Sequence, residues 1–127
     1  MNKNDDMTNF VTPNSAELVL RVSHDVARAD SLDEQLRITM EAVTTATNSD
    51  RGTLFLNDPA TNELYSRIAL GDVKREIRIL NNSGIAGAVY SNGIAEIVPN
   101  AYEDERFNDT VDSTTGYHTR NILCAPV

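Results

Sequence analysis

The spacing of apolar residues along this chain changes character once, near Asn48, and that change restricts the fold class more than any other feature. Before it, apolar residues recur at intervals of three and four; after it, short apolar runs stand between turn-forming residues. Leu18, Val19, Val22, Val26 and Ala29 form the first helical stripe, for which Asn14 and Ser15 are the expected caps. Ser31-Leu32-Asp33-Glu34 reads as a capping box: the Ser31 oxygen accepts from the Glu34 amide while the Glu34 carboxylate reaches back. Leu32, Leu36, Met40 and Val43 then share one face of a second helix of about four turns, ended by Asn48-Ser49-Asp50. The first stripe is narrow and close to the amino terminus. It is expected either to join the core or to pair with a second copy of itself.

Strand character follows. Residues 51–56 and 64–70 are apolar-rich runs separated by Asn57-Asp58-Pro59-Ala60-Thr61-Asn62, turn chemistry that implies a hairpin. Glu76-Ile77-Arg78-Ile79 alternates, which places Ile77 and Ile79 inward on a half-buried strand. Asn81-Asn82-Ser83-Gly84 is a turn feeding a short helix from Ile85 to about Tyr90, closed by Ser91-Asn92-Gly93. Residues 95–98 form a short strand stopped by Pro99; residues 100–119 are irregular, with one helical turn near 107–111; residues 120–127 return to strand. Two helices followed by hairpin-connected strands imply an α+β fold, an antiparallel sheet with flanking helices. Residues 1–13 are polar and read as a loose arm or linker ahead of a domain over 14–127.

Composition bounds the function. Among 127 residues, 19 acidic side chains face 11 basic ones, a net charge of -8. A nucleic acid would be repelled by such a surface without a basic patch, and none is visible. The longest apolar run, Ile122 to Ala125, is four residues, too short for a membrane span. Met1-Asn2-Lys3-Asn4-Asp5-Asp6 has no apolar stretch for a secretory signal, and one cysteine excludes an internal disulfide framework. The expectation is a soluble, cytoplasmic, single-domain chain.

Catalytic motifs are missing: there is no phosphate-binding P-loop, no G-x-G-x-x-G, no paired C-x-x-C and no H-E-x-x-H. His24, His118 and Cys124 are too scattered for a metal site, and Cys124 in Ile122-Leu123-Cys124-Ala125 reads as a buried structural thiol rather than a nucleophile. Glu103, Asp104, Glu105, Asp109 and Asp112 crowd one loop and read as a solvated face. The domain is therefore not expected to be an enzyme.

Two stretches say more. In Ser83-Gly84-Ile85-Ala86-Gly87-Ala88-Val89 a glycine turn leads straight into a helix whose first amides have no partner in the helix, a ready site for an anion. The structural alternative is that Gly84 and Gly87 serve only the turn and close helix packing. The second stretch, residues 106–120, is rich in short hydrogen-bonding side chains, with Phe107, Val111 and Tyr117 as apolar anchors. A long polar connection between strands suits a binding lid. Asp112 can accept from the N–H groups of a purine edge, and Thr115 and Thr119 can donate or accept. Equally, Asp112 and the threonines can satisfy local backbone amides.

Glu76-Ile77-Arg78-Ile79, Gly84-Ile85-Ala86-Gly87, Asn100-Ala101-Tyr102, Arg106-Phe107, Val111-Asp112 and the run Thr115 to Val127 together resemble a GAF domain. The pattern is most similar to the GAF domains of cyclic-nucleotide phosphodiesterases and cyanobacterial adenylyl cyclases, and covers residues 15–127. The resemblance implies a GAF (PAS-like) fold and a cyclic nucleotide held between sheet and lid, with no other cofactor. Its phosphate would meet Ile85 and Ala86; base and ribose would meet Asp112, Thr115 and Thr119, with Thr53 facing the base. Ala69 and Leu70 stand where some cGMP-binding relatives place an aromatic ring and an acid, and Arg67 is expected to supply part of that surface. cAMP is thus slightly favoured over cGMP. Asn108 replaces an often aromatic lid position. Because the chain ends at Val127, the family's sixth, central strand and last helix are expected to be missing, so that residues 14–127 form a partial GAF domain. The resemblance further implies an output domain in the same protein and a homodimer through the first helix. The alternative within the family is a dimerisation or spacer module with no cyclic-nucleotide ligand. A bilin photoreceptor is disfavoured for want of the usual cysteine–histidine pair, and a methionine-sulfoxide-reducing enzyme for want of several cysteines.

Overall fold

The computed structural model describes residues 13–71 and 75–127. The expected arm over residues 1–13 lies outside them except for Pro13, which opens the first helix. The chain divides into two compact units, Met1–Gly52 and Thr53–Val127.

The first unit holds two packed helices, α1 (Pro13–Arg28) and α2 (Leu32–Ala46). Helix α1 is already running at Pro13, so Asn14 and Ser15 lie inside it rather than capping it. Proline suits that first position, where its missing N–H would have had no intrahelical acceptor. Leu18, Val22, Val26 and Ala29 are half-buried as the stripe requires, whereas Val19 is exposed. In the capping box, Ser31 Oγ accepts from the Glu34 amide at 3.2 Å; the Glu34 carboxylate reaches one residue further than expected, to the Asp30 N–H at 3.0 Å. The threonines of α2 return their hydroxyls to carbonyls one turn back: Thr39 to Gln35 at 2.8 Å and Thr44 to Met40 at 2.9 Å. Leu36 and Met40 are half-buried, but Leu32 and Val43, at the two ends of the stripe, remain exposed.

The second unit carries β1 (Gly52–Asp58, its first residue belonging to the helical unit), β2 (Glu63–Leu70), β3 (Arg78–Leu80), α3 (Gly84–Asn92), β4 (Glu96–Val98), a 3-10 turn (Ala101–Glu103), α4 (Thr110–Thr115) and β5 (Ile122–Cys124). The expected single sheet is in two pieces among the described residues: one in the order β1-β2-β3, and a β4–β5 ribbon. In the first, antiparallel pairing sets Glu63 against Leu80 and Leu64 against Ile79. In the second it sets Glu96 against Cys124 and Val98 against Ile122. The β1–β2 turn is built as its residues suggest, with Asp58 Oδ1 accepting from the Ala60 amide at 3.0 Å and Asn62 at φ 56°. The helical turn expected near 107–111 begins later, at Thr110. The final strand is three residues long rather than eight, because only that length finds a partner in the equally short β4.

Leu54, Leu64 and Ile68 from the hairpin, Ile85 and Val89 from α3, Val98 from β4 and Ala101 are buried and form the core. Each large one contributes about 1.5–3 kcal/mol through removal from water. No helix among the described residues is long and apolar enough to cross a membrane.

Candidate functional site

The polar centre of the second unit is Asp112 on α4, a carboxylate only 7% exposed. Three donors converge on it. The Thr119 hydroxyl donates to Oδ1 at 2.7 Å, and Oδ2 accepts from the Thr119 amide and from the Tyr102 hydroxyl, each at 2.7 Å. Burial pushes this carboxyl up, but the Thr119 amide and hydroxyl, the Tyr102 hydroxyl and the nearby His118 outweigh it and leave it below the usual aspartate value. The same bond acts on its donor: the Asp112 carboxylate holds the Tyr102 phenol up to about 12. Tyr102 also lies flat against His118, with ring centroids 4.5 Å apart and planes 8° apart, and leans on Phe107 at 5.0 Å. One carboxylate therefore ties together the 3-10 turn, α4 and the segment leading into β5. The backbone repeats the tie, since the Ala101 amide donates to the Arg120 carbonyl at 2.8 Å.

Thr115, one helical turn after Asp112, returns its hydroxyl to the Val111 carbonyl at 2.9 Å. Gly116 closes α4 at φ 73°, its amide bonded to the Asp112 carbonyl at 2.9 Å. Asp112, Thr115 and Thr119, which the sequence puts forward, are thus gathered at one place.

Ile85 and Ala86 stand at the start of α3, Ile85 buried and Ala86 half-buried. Ser83 precedes the helix without a capping bond from its side chain, and its carbonyl takes the Gly87 amide at 3.1 Å, so of the amides at this end the expectation of an unpaired N–H does not hold for Gly87. Gly84 has φ +70°, and a side chain there would come 3.6 Å from the Arg106 carbonyl; a Cβ on Gly87 would meet Asn82 backbone at 3.0 Å. Both glycines therefore have a backbone reason to be glycine, as the structural alternative expects. Arg106 adds no free charge to this end of α3. Its guanidinium is held by Asp104 at 2.8 Å and Glu96 at 2.8 Å, and in return draws the Asp104 carboxyl down to about 2.

Thr53 and Arg67 belong to β1 and β2, Thr53 half-buried and Arg67 exposed. No hydrogen bond among the described residues joins the Thr53 hydroxyl to the Asp112 cluster. Cys124 is half-buried, and burial, with Glu96 alongside, pushes its thiol up. Among the described residues no group of histidine, cysteine and carboxylate side chains could hold a metal ion. Tyr102 and the ring of His118 are the parts of this cluster that sequence reasoning gave no place; the signal for Tyr102 was a lone aromatic in the loop preceding the threonine-rich stretch.

A split antiparallel sheet with two leading helices, a third helix opening toward the 101–107 loop and a polar centre on the fourth define an α+β domain of the GAF class. The family model described as the GAF domain matches residues 31–127, and the chain belongs to that family. It is 39% identical, over 84% of its length, to a probable 3',5'-cyclic phosphodiesterase, pde-5, of Caenorhabditis elegans. It is 32% identical, over 87%, to the dual 3',5'-cyclic-AMP and -GMP phosphodiesterase 11 of Drosophila melanogaster. A cGMP-specific 3',5'-cyclic phosphodiesterase of Drosophila ananassae is 34% identical over 87%. The chain spans only 16%, 9% and 11% of these three proteins.

Solved structures agree on the fold. The GAF domain of a phosphoenolpyruvate-protein phosphotransferase from Coxiella burnetii superposes with a TM-score of 0.75 at 17% identity, covering 85% of this chain and 66% of that one. Free methionine-R-sulfoxide reductase from Neisseria meningitidis gives 0.73 at 17%, covering 92% and 68%.

Proposed function

We propose that this chain is a regulatory, non-catalytic sensing domain that binds a cyclic nucleotide and relays its occupancy to an output domain of the same protein in the cytoplasm. The observation that carries the reading is the similarity, over more than four fifths of the chain, to three proteins all described as cyclic-nucleotide phosphodiesterases. The start of α3 supports it: the amides of Ile85 and Ala86 suit a phosphate that no lysine or arginine need neutralise. Thr53 and Arg67 would meet the base from the hairpin, and Asp112, Thr115 and Thr119 would meet base and ribose from the α4 side. Ala69 and Leu70, which offer neither a stacking ring nor an acid, favour cAMP slightly over cGMP. Such a domain works by differential affinity: the ligand favours one packing of the α4 segment over another.

Calorimetric titration of the protein with cAMP and with cGMP tests this, with Asp112→Ala as the control. Saturable binding of one nucleotide, weakened about ten-fold or more in the variant, is expected. Absence of heat with either nucleotide, from folded and ligand-free protein, contradicts it. One observation favours a second reading, a dimerisation module: Val19 and Leu20 on α1 are 63% and 73% exposed. That module would give a stable dimer and no nucleotide binding.

A further inference from the structure

A carboxylate offers about four lone-pair positions, and the protein itself uses three of those on Asp112. The use is uneven. Oδ2 accepts twice, from the Thr119 amide and the Tyr102 hydroxyl, while Oδ1 accepts once, from the Thr119 hydroxyl. Whatever accepting capacity remains lies on Oδ1. Thr119 holds Oδ2 through its amide and Oδ1 through its hydroxyl, and the Tyr102 hydroxyl adds the second bond on Oδ2. Tyr102 is in turn placed by its stack on His118 and its tilted contact with Phe107.

We propose that Tyr102 is a positioning residue for ligand recognition: by taking the second position on Oδ2, beside the Thr119 amide, it leaves Oδ1 as the face that accepts an N–H from the ligand's base. Tyr102 touches no ligand in this arrangement; it acts through Asp112. The inference rests on the cyclic-nucleotide reading above and specifies which group sets base selectivity within it. A purely structural role for the hydroxyl would anchor the 3-10 turn to α4 and affect every ligand alike.

The two cyclic nucleotides separate these roles, because cAMP and cGMP share ribose and cyclic phosphate and differ only in the base edge. Affinities for both are measured in the wild-type protein, Tyr102→Phe, Asp112→Asn and the double variant. Tyr102→Phe keeps the ring and its stack and removes only the donor. The ratio of the two affinities is expected to shift by about three-fold or more in Tyr102→Phe, the weight of one hydrogen bond. The double variant is expected to show no greater shift than Asp112→Asn alone.

An unchanged ratio, or a double variant in which the two effects simply add, overturns the proposal while leaving nucleotide binding intact. A wild-type protein that binds neither nucleotide overturns the cyclic-nucleotide reading and this proposal with it. Should Tyr102→Phe fail to fold, 3-fluorotyrosine at position 102 changes the phenol's donor strength at nearly constant shape, and the ratio is read in that protein by the same criterion.

Discussion

Asp104 and Asp112 are both held below the ordinary aspartate value of 3.8, by different means. At Asp104 the cause is the Arg106 guanidinium and amide, which bring the carboxyl to about 2. At Asp112 the cause is a set of bonds from Thr119 and Tyr102 strong enough to overcome burial. A carboxyl whose folded-state value is lowered stabilises the fold above its unfolded value, and that stabilisation is lost as pH falls through the folded value. Tyr102 has the opposite sign: raised from 10.0 to about 12, it stabilises the fold below its unfolded value and ceases to do so as pH rises through the folded one. Through these groups and the raised Cys124 thiol the melting temperature is expected to be level from about pH 5 to about pH 8 and to fall on both sides, between about 4 and 2 and from about 9 to about 12. A melting temperature unchanged from pH 5 down to about pH 2 would mean that neither carboxylate contributes in solution what its partners imply.

At the scale of elements, α3 packs so closely on the Asn81–Asn82 backbone that a side chain at its fourth residue would have to push that turn aside. Alanine at Gly87 would improve helix propensity by about 1 kcal/mol. Its Cβ, however, would lie 3.0 Å from the Asn82 carbonyl carbon and 3.3 Å from Asn81 backbone, atoms with no rotamer to yield. That turn is itself fixed, by the Asn81 amide on the Asn62 carbonyl at 3.0 Å and the Ser83 amide on the Leu80 carbonyl at 3.1 Å. Overpacking costs about 1–3 kcal/mol, so Gly87→Ala is expected to lower stability in urea unfolding by up to about 2 kcal/mol net. A gain would show that the turn gives way.

What was legible in the sequence follows the same line. The capping box, the Asn57–Asn62 turn and the Gly93 stop could be read because each is a local contract between neighbouring residues. The division of the sheet, the late start of α4 and the exposure of Leu32 and Val43 could not, since each depends on which distant segment lies alongside. The candidate site divides similarly. Asp112, Thr115 and Thr119 stand close in the chain and were found together, whereas Tyr102 reaches Asp112 from ten residues away, through a loop whose path no local pattern records.

For the molecule as a whole the decisive quantity is the net charge of -8. A cyclic nucleotide is a monoanion, so at a distance it is repelled, even though α3 would attract its phosphate on contact with roughly half an elementary charge. The two fields have different ranges. The helix-terminal attraction acts only within about one turn, a distance shorter than the screening length at either salt, whereas the repulsion acts over tens of ångströms, and its reach shrinks from about 30 Å at 0.01 M salt to about 10 Å at 0.1 M. Raising the ionic strength over that interval is therefore expected to increase the association rate constant for cAMP, by about two- to five-fold in stopped-flow measurements, with little change in dissociation. A phosphate bound chiefly by a cationic side chain would behave in the reverse manner, losing association rate with salt. A fall in the rate would thus transfer the phosphate from the amides of Ile85 and Ala86 to a basic group, for which Arg67 on β2 is the side chain already proposed to lie near the ligand.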